Sequence, residues 1–147
     1  MKNRKDFTTS IIVDQSSAEV FIAINNVRGW WQGEITGNTE KINDEFAYQM
    51  ADFHLTKQKI VELIPSKKVV WRVTESKINF VADKNEWLNT TITFDIASEK
   101  DKTKVTFTHK GLVPEIECYG GCSGAWSQLI EQSLFSLITT GKGVNVF

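Results

Sequence analysis

Two cysteines, Cys118 and Cys122, are all the thiol this chain carries. One helical turn apart, they would constrain the backbone only weakly, and they lack the Cys-x-x-Cys spacing of zinc and redox sites. Neither a disulfide framework nor a metal centre is expected, and no cofactor is implied. Charge of one sign is also missing: 17 Lys and Arg stand against 18 Asp and Glu, leaving a net charge of −1. That balance argues against nucleic acid or another polyanion as partner. No apolar run approaches the ~20 residues that cross a bilayer. The opening Met1-Lys2-Asn3-Arg4-Lys5-Asp6 turns directly into a mixed segment rather than an unbroken apolar stretch. A cytoplasmic protein with free thiols is therefore expected. No repeat, low-complexity tract, linker or serine-nucleophile motif interrupts the chain.

What is present is apolar and patterned. With 147 residues, 41% hydrophobic and 11% aromatic, the chain can fill one core, whereas two would be marginal. A single domain over 1–147 is expected. The longest amphipathic stretch runs from Cys118 to Lys142. At about 100° per residue Cys122, Trp126, Leu129, Ile130, Ser133, Leu134 and Leu137 share one stripe, with Gln128, Glu131, Gln132 and Thr139 opposite. Such a helix needs a broad apolar surface to lie against, because each large buried side chain contributes roughly 1.5–3 kcal/mol. Upstream strands must supply that surface.

They read in order. Phe7 to Val13 is rich in Thr, Ile and Val and suits a first strand. Ser16 with Glu19 forms a capping box, and Val20, Phe21, Ala23, Ile24 and Val27 share a face, so a short helix should run from Ser17 to about Asn26. After Trp30 and Trp31, Gly33 to Gly37 reads as a short strand. Phe46, Tyr48 and Met50 alternate with polar neighbours; a strand over about Leu55 to Ile64 meets a turn at Pro65; and Lys68 to Thr74 returns, with its core-facing side unresolved between Val69/Trp71/Val73 and Val70/Arg72. The stretch from Glu75 to Asn89 holds Ile78, Phe80, Val81, Trp87 and Leu88, more apolar matter than a solvated loop needs, so part should fold back as a strand or lid. Asn89 to Ile96 and Lys104 to His109 form a hairpin across Ser98 to Lys102. The expected architecture is α+β. It is a helix-grip fold, with a curved antiparallel sheet of six or seven strands around the long C-terminal helix and two short helices after the first strand.

Four stretches carry a family resemblance: Ser17-Ala18-Glu19-Val20-Phe21 with Trp30-Trp31; Glu86-Trp87 with Thr90 and Thr91; Thr106-Phe107-Thr108-His109-Lys110-Gly111-Leu112; and Cys118 to Trp126 continuing through Ser133-Leu134 to Gly141. In this order and spacing the chain resembles the SRPBCC, or START-like, superfamily, and within it the homologues of the activator of the heat-shock chaperone ATPase. The sequence has Asn43-Asp44 where a glycine commonly precedes the Phe46 strand; asparagine tolerates left-handed backbone. The resemblance implies an elongated cavity between sheet and helix, used in the superfamily for apolar molecules such as lipids, sterols or polyketides.

The expected wall is Trp30, Trp31, Tyr48, Trp71, Trp87, Phe107, His109, Cys118, Trp126 and Ile130. Aromatic side chains line pockets, and they equally fill cores. His109 shares its strand face with Val105 and Phe107, where it would meet a ligand or bond to backbone at the core's rim. Phe135 falls on the polar side of the last helix as a harmless exposed aromatic or a partner patch. The expected function is binding of a small apolar or amphipathic ligand. Two alternatives stand: a co-chaperone-like module that stimulates a heat-shock ATPase, and a polyketide cyclase-like enzyme. The shortage of convergent polar residues favours a non-enzyme.

Overall fold

The computed structural model describes residues 6–31, 33–50, 54–78, 82, 87–114, 116 and 119–146. Seven strands form one antiparallel sheet: β1 (Phe7–Val13), β2 (Glu34–Gly37), β3 (Glu45–Met50), β4 (His54–Ile64), β5 (Lys68–Ile78), β6 (Thr91–Glu99) and β7 (Lys102–Lys110). Their spatial order is β1-β7-β6-β5-β4-β3-β2, a meander from β2 to β7 with β1 added beside β7. Two short helices, α1 (Ser17–Asn25) and α2 (Val27–Trp30), connect β1 to β2. The chain ends in one continuous rod built from α3 (Tyr119–Gln128), a π-helical stretch (Leu129–Leu134) and α4 (Phe135–Thr140).

Local chemistry sets these bounds. Both halves of the capping box form at α1: Glu19 N–H donates to Ser16 Oγ at 3.2 Å, and Ser16 N–H to Glu19 Oε1 at 3.3 Å. Asn43 adopts φ 71°, the left-handed conformation that a glycine would otherwise supply. The rod stops at Gly141, whose φ of 88° ends it in a left-handed cap.

The inner face of the sheet is a cross-strand mosaic in which Trp71 pairs with Ile92, Ile92 with His109, and Phe94 with Phe107. On β5, Val69, Trp71 and Val73 are fully buried, while Arg72 points to solvent and donates to Asn89 Oδ1 at 3.2 Å. That settles which side of this strand faces the core. The strand is also longer than expected, reaching Ile78, so Glu75 to Ile78 continue it rather than folding back. Phe80 and Val81 lie outside the described residues. The β6–β7 hairpin is likewise longer, pairing Glu99 with Lys102, because Lys100 takes φ 58° and the turn shrinks to two residues.

The rod lies across this face. Thr9 on β1 donates to Glu131 Oε2 at 2.7 Å, and Ser133 Oγ donates to the Trp30 carbonyl at 2.7 Å, fixing the π-helical stretch against β1 and α2. Cys122, Trp126, Leu129, Ile130, Ser133 and Leu134 are buried as the stripe requires. At its end the phase slips: Ile138 is buried while Leu137 is only half-buried. A π-turn bonds to the fifth residue instead of the fourth, so it rotates every later position against a 100° projection. Phe135 stays on the outer side, 37% exposed.

Candidate functional site

Between α3 and the β3–β4 side of the sheet lies a cavity of about 340 Å³. From the sheet side Tyr48, Met50 and His54 face it, joined by Trp31 after α2 and Trp87 before β6; from the rod come Gly121, Cys122, Ala125, Trp126 and Leu129. Trp31 and Tyr48 stack with centroids 4.0 Å apart and planes 14° from parallel. Trp87 lies nearly parallel to Trp126 at 5.7 Å, so aromatic planes from sheet and rod meet around the space. No Lys, Arg, Asp or Glu is among these lining residues.

The polar side chains near the cavity are held neutral. Burial pushes the Tyr48 hydroxyl up to about 12, against a smaller opposing effect from its hydrogen-bonding contact with Trp31. Burial also lowers His54 to about 4. His109 is lowered to about 3, first by burial and then by repulsion from a charged His54. Its hydrogen bonds define its tautomer. Trp126 Nε1–H, which can only donate, meets His109 Nδ1 at 3.0 Å. The imidazole proton therefore sits on Nε2 and is donated to Thr90 Oγ1 at 2.8 Å, and Thr90 donates in turn to the Trp87 carbonyl at 2.6 Å. One buried histidine thus positions both Trp87 and Trp126.

Of the residues expected from sequence at the wall, the structure brings Trp31, Tyr48, Trp87 and Trp126 to the cavity. Trp30, Trp71, Phe107 and Ile130 sit behind it in the hydrophobic core, and His109 is fully buried beside them. Trp30 lies nearly parallel to Trp71 at 6.3 Å and donates from Nε1 to the Ile24 carbonyl at 3.1 Å. Trp71 meets Phe46 and Phe94 edge-on, each at 5.0 Å, and Phe107 packs on Trp126 at 4.7 Å. These contacts consume the ring faces that a ligand would need. Cys118 lies outside the described residues; Cys122 is a buried free thiol in the cavity wall. Sequence reasoning missed Met50, His54, Gly121, Ala125 and Leu129 as wall residues, although Met50 alternates with polar neighbours on its strand just as Tyr48 does. Among the described residues no cluster of His, Cys, Asp and Glu is arranged to hold a metal ion, and no helix is long and apolar enough to cross a membrane.

Comparison with known proteins places this architecture. The Aha1 dimer from Colwellia psychrerythraea has a solved structure that superposes with a TM-score of 0.77 at 21% identity, covering 95% of this chain and 99% of that one. The protein SSP2350 from Staphylococcus saprophyticus matches with a TM-score of 0.71 at 15% identity, covering 97% and 98%. DynU16, a putative protein in the dynemicin biosynthetic locus, matches at 0.70 and 12% identity, over 96% of this chain but 49% of its own. At such identities the likeness is one of fold. Among curated proteins none matches this chain in sequence. The family model described as Activator of Hsp90 ATPase homolog 1-like protein matches residues 19–138. The chain belongs to that family, a branch of the SRPBCC superfamily.

Proposed function

We propose that this protein binds a small, uncharged, apolar molecule in the cavity between α3 and the sheet. The observation that carries the reading is the wall itself: about 340 Å³ lined by Trp31, Tyr48, Trp87 and Trp126, with no charged side chain among its described lining residues. A ligand there exchanges water for aromatic surface at roughly 25 cal/mol per Å² of apolar area removed from water. A charged ligand would meet no counter-charge from these residues and would lose its hydration.

The neutral probe N-phenyl-1-naphthylamine tests this. Its fluorescence should rise on binding and the tryptophan emission should fall, and Ala125→Trp, which fills the cavity from the rod, should abolish both changes. Equal binding by the filled variant would place the probe elsewhere and reject the reading.

The family match supports a second reading, an interaction module that stimulates a heat-shock ATPase. Pulldown and ATPase assays with the purified chaperone decide it: absence of both a complex and a rate change discards it. A cyclase-like enzyme would have to use Tyr48 and His54, the polar side chains that converge on the cavity.

A further inference from the structure

Strand β4 places polar side chains where a core strand ordinarily has apolar ones. His54, Thr56 and Gln58 stand opposite Met50, Tyr48 and Phe46 of β3 and point to the inner face; Thr56 and Gln58 are fully buried. Buried polar groups are costly unless bonded, and these form a chain. Gln58 Nε2 donates to Thr56 Oγ1 at 2.6 Å, and Thr56 Oγ1 lies 3.3 Å from His54 Nε2. A hydroxyl has one hydrogen. Thr56 Oγ1 accepts from Gln58 and has no acceptor other than the imidazole among the described residues, so its hydrogen goes to His54, which makes Nε2 the acceptor. A neutral imidazole carries its single proton on the other nitrogen, so Nδ1 is the N–H of His54. Nδ1 pairs with no described residue.

The ring is also fixed in direction. It meets Tyr48 edge-to-face at 5.3 Å and 77°, and Trp87 at 4.6 Å and 78°. His54 is thus a cavity residue with a chosen tautomer, a clamped plane and one free donor.

We propose that His54 Nδ1–H is the specificity contact of the cavity, and that the ligand is an uncharged ring compound bearing a carbonyl or ether oxygen that accepts this hydrogen bond. The inference rests on the cavity being the ligand site and adds the polar end of the ligand. The Gln58–Thr56 relay selects acceptors over donors, because it leaves His54 nothing but an N–H to offer. The aromatic planes of Trp31, Tyr48, Trp87 and Trp126 suit a flat ring system better than a flexible chain. A carboxylate would find only neutral donors and no cation among the described lining residues.

The test uses a matched pair, fluorene and 9-fluorenone, which share a tricyclic frame and differ by one carbonyl oxygen. Each competes against N-phenyl-1-naphthylamine on the full chain. The expected result is fluorenone binding about tenfold tighter than fluorene, as one buried hydrogen bond provides. In His54→Phe that ratio should fall to about one, and in Thr56→Val it should shrink because the tautomer is released. Independently of any variant, imidazole nitrogen NMR of the unliganded protein should find the His54 proton on Nδ1 and the His109 proton on Nε2. Fluorene binding without a fluorenone advantage, an advantage that survives His54→Phe, or a His54 proton on Nε2 would each overturn the inference and leave the cavity reading standing. Failure of the probe and both compounds to bind would reject the cavity reading and this inference with it.

Discussion

Acidification should destabilise this protein through its two histidines, and the size of the effect follows from their burial. His54 and His109 titrate at about 4 and about 3 in the folded state against 6.5 when free. As pH falls below 6.5 the unfolded chain takes up protons that the folded chain refuses, so folding loses stability. The contribution is fully present above pH 6.5 and is lost progressively toward the folded values. Between pH 7 and pH 5 each histidine costs about 2 kcal/mol, so the pair removes roughly 4 kcal/mol from a domain whose total is on the order of 5–15 kcal/mol. His109→Gln separates the two. A glutamine amide can accept from Trp126 and donate to Thr90, as His109 does now, but it does not titrate. Urea unfolding at pH 7, 6 and 5 should show the variant losing about 2 kcal/mol where the parent loses about 4 kcal/mol. Equal losses in the two proteins, or a parent whose stability stays flat from pH 7 to pH 5, would refute the claim that His109 is buried as a neutral acceptor.

Two further substitutions probe the rod. Ser133→Ala removes the donor to the Trp30 carbonyl and the acceptor of Val144 N–H; urea unfolding should show a loss of about 1–3 kcal/mol, because both backbone groups lose a partner. Gly120→Ala and Gly124→Ala place a Cβ where nothing lies within 4 Å; thermal melts should show each raising stability by about 0.5–1 kcal/mol through helix propensity, and a loss would mean that α3 needs glycine for a contact not yet identified.

Much of the fold is legible in the residues. The Ser16–Glu19 box starts α1 because both hydrogen bonds are local, and Phe46, Tyr48 and the Val105–Phe107–His109 series reach the inner face because strand alternation is a property of the backbone. Strand β4 resists the same logic. Its apolar Leu55, Val61 and Ile64 face outward at about 40% exposure while Thr56 and Gln58 are sealed inside, so hydrophobicity points to the wrong face. Bulges between Lys57 and Gln58 and between Ile60 and Glu62 disturb the strand's register against β5. The π-helical stretch is hidden too, because no residue type marks the fifth-neighbour bond, and it shifts burial from Leu137 to Ile138. Composition identifies an aromatic set but not its division. Whether a tryptophan lines the cavity or fills the core depends on where α3 stands away from the sheet, a tertiary fact. Trp30 and Trp31, adjacent in sequence, fall on opposite sides of that division.

The central claim is that the space under α3 receives a ligand, and methyl NMR tests it most directly. Met50 and Ala125 carry methyl groups in the wall, while Ile12 and Val61 are exposed at about 49% and 42% and line no part of it. Titration with N-phenyl-1-naphthylamine should shift the Met50 and Ala125 signals together and leave Ile12 and Val61 in place; shifts confined to Ile12 and Val61, with Met50 and Ala125 unmoved at saturation, would contradict it.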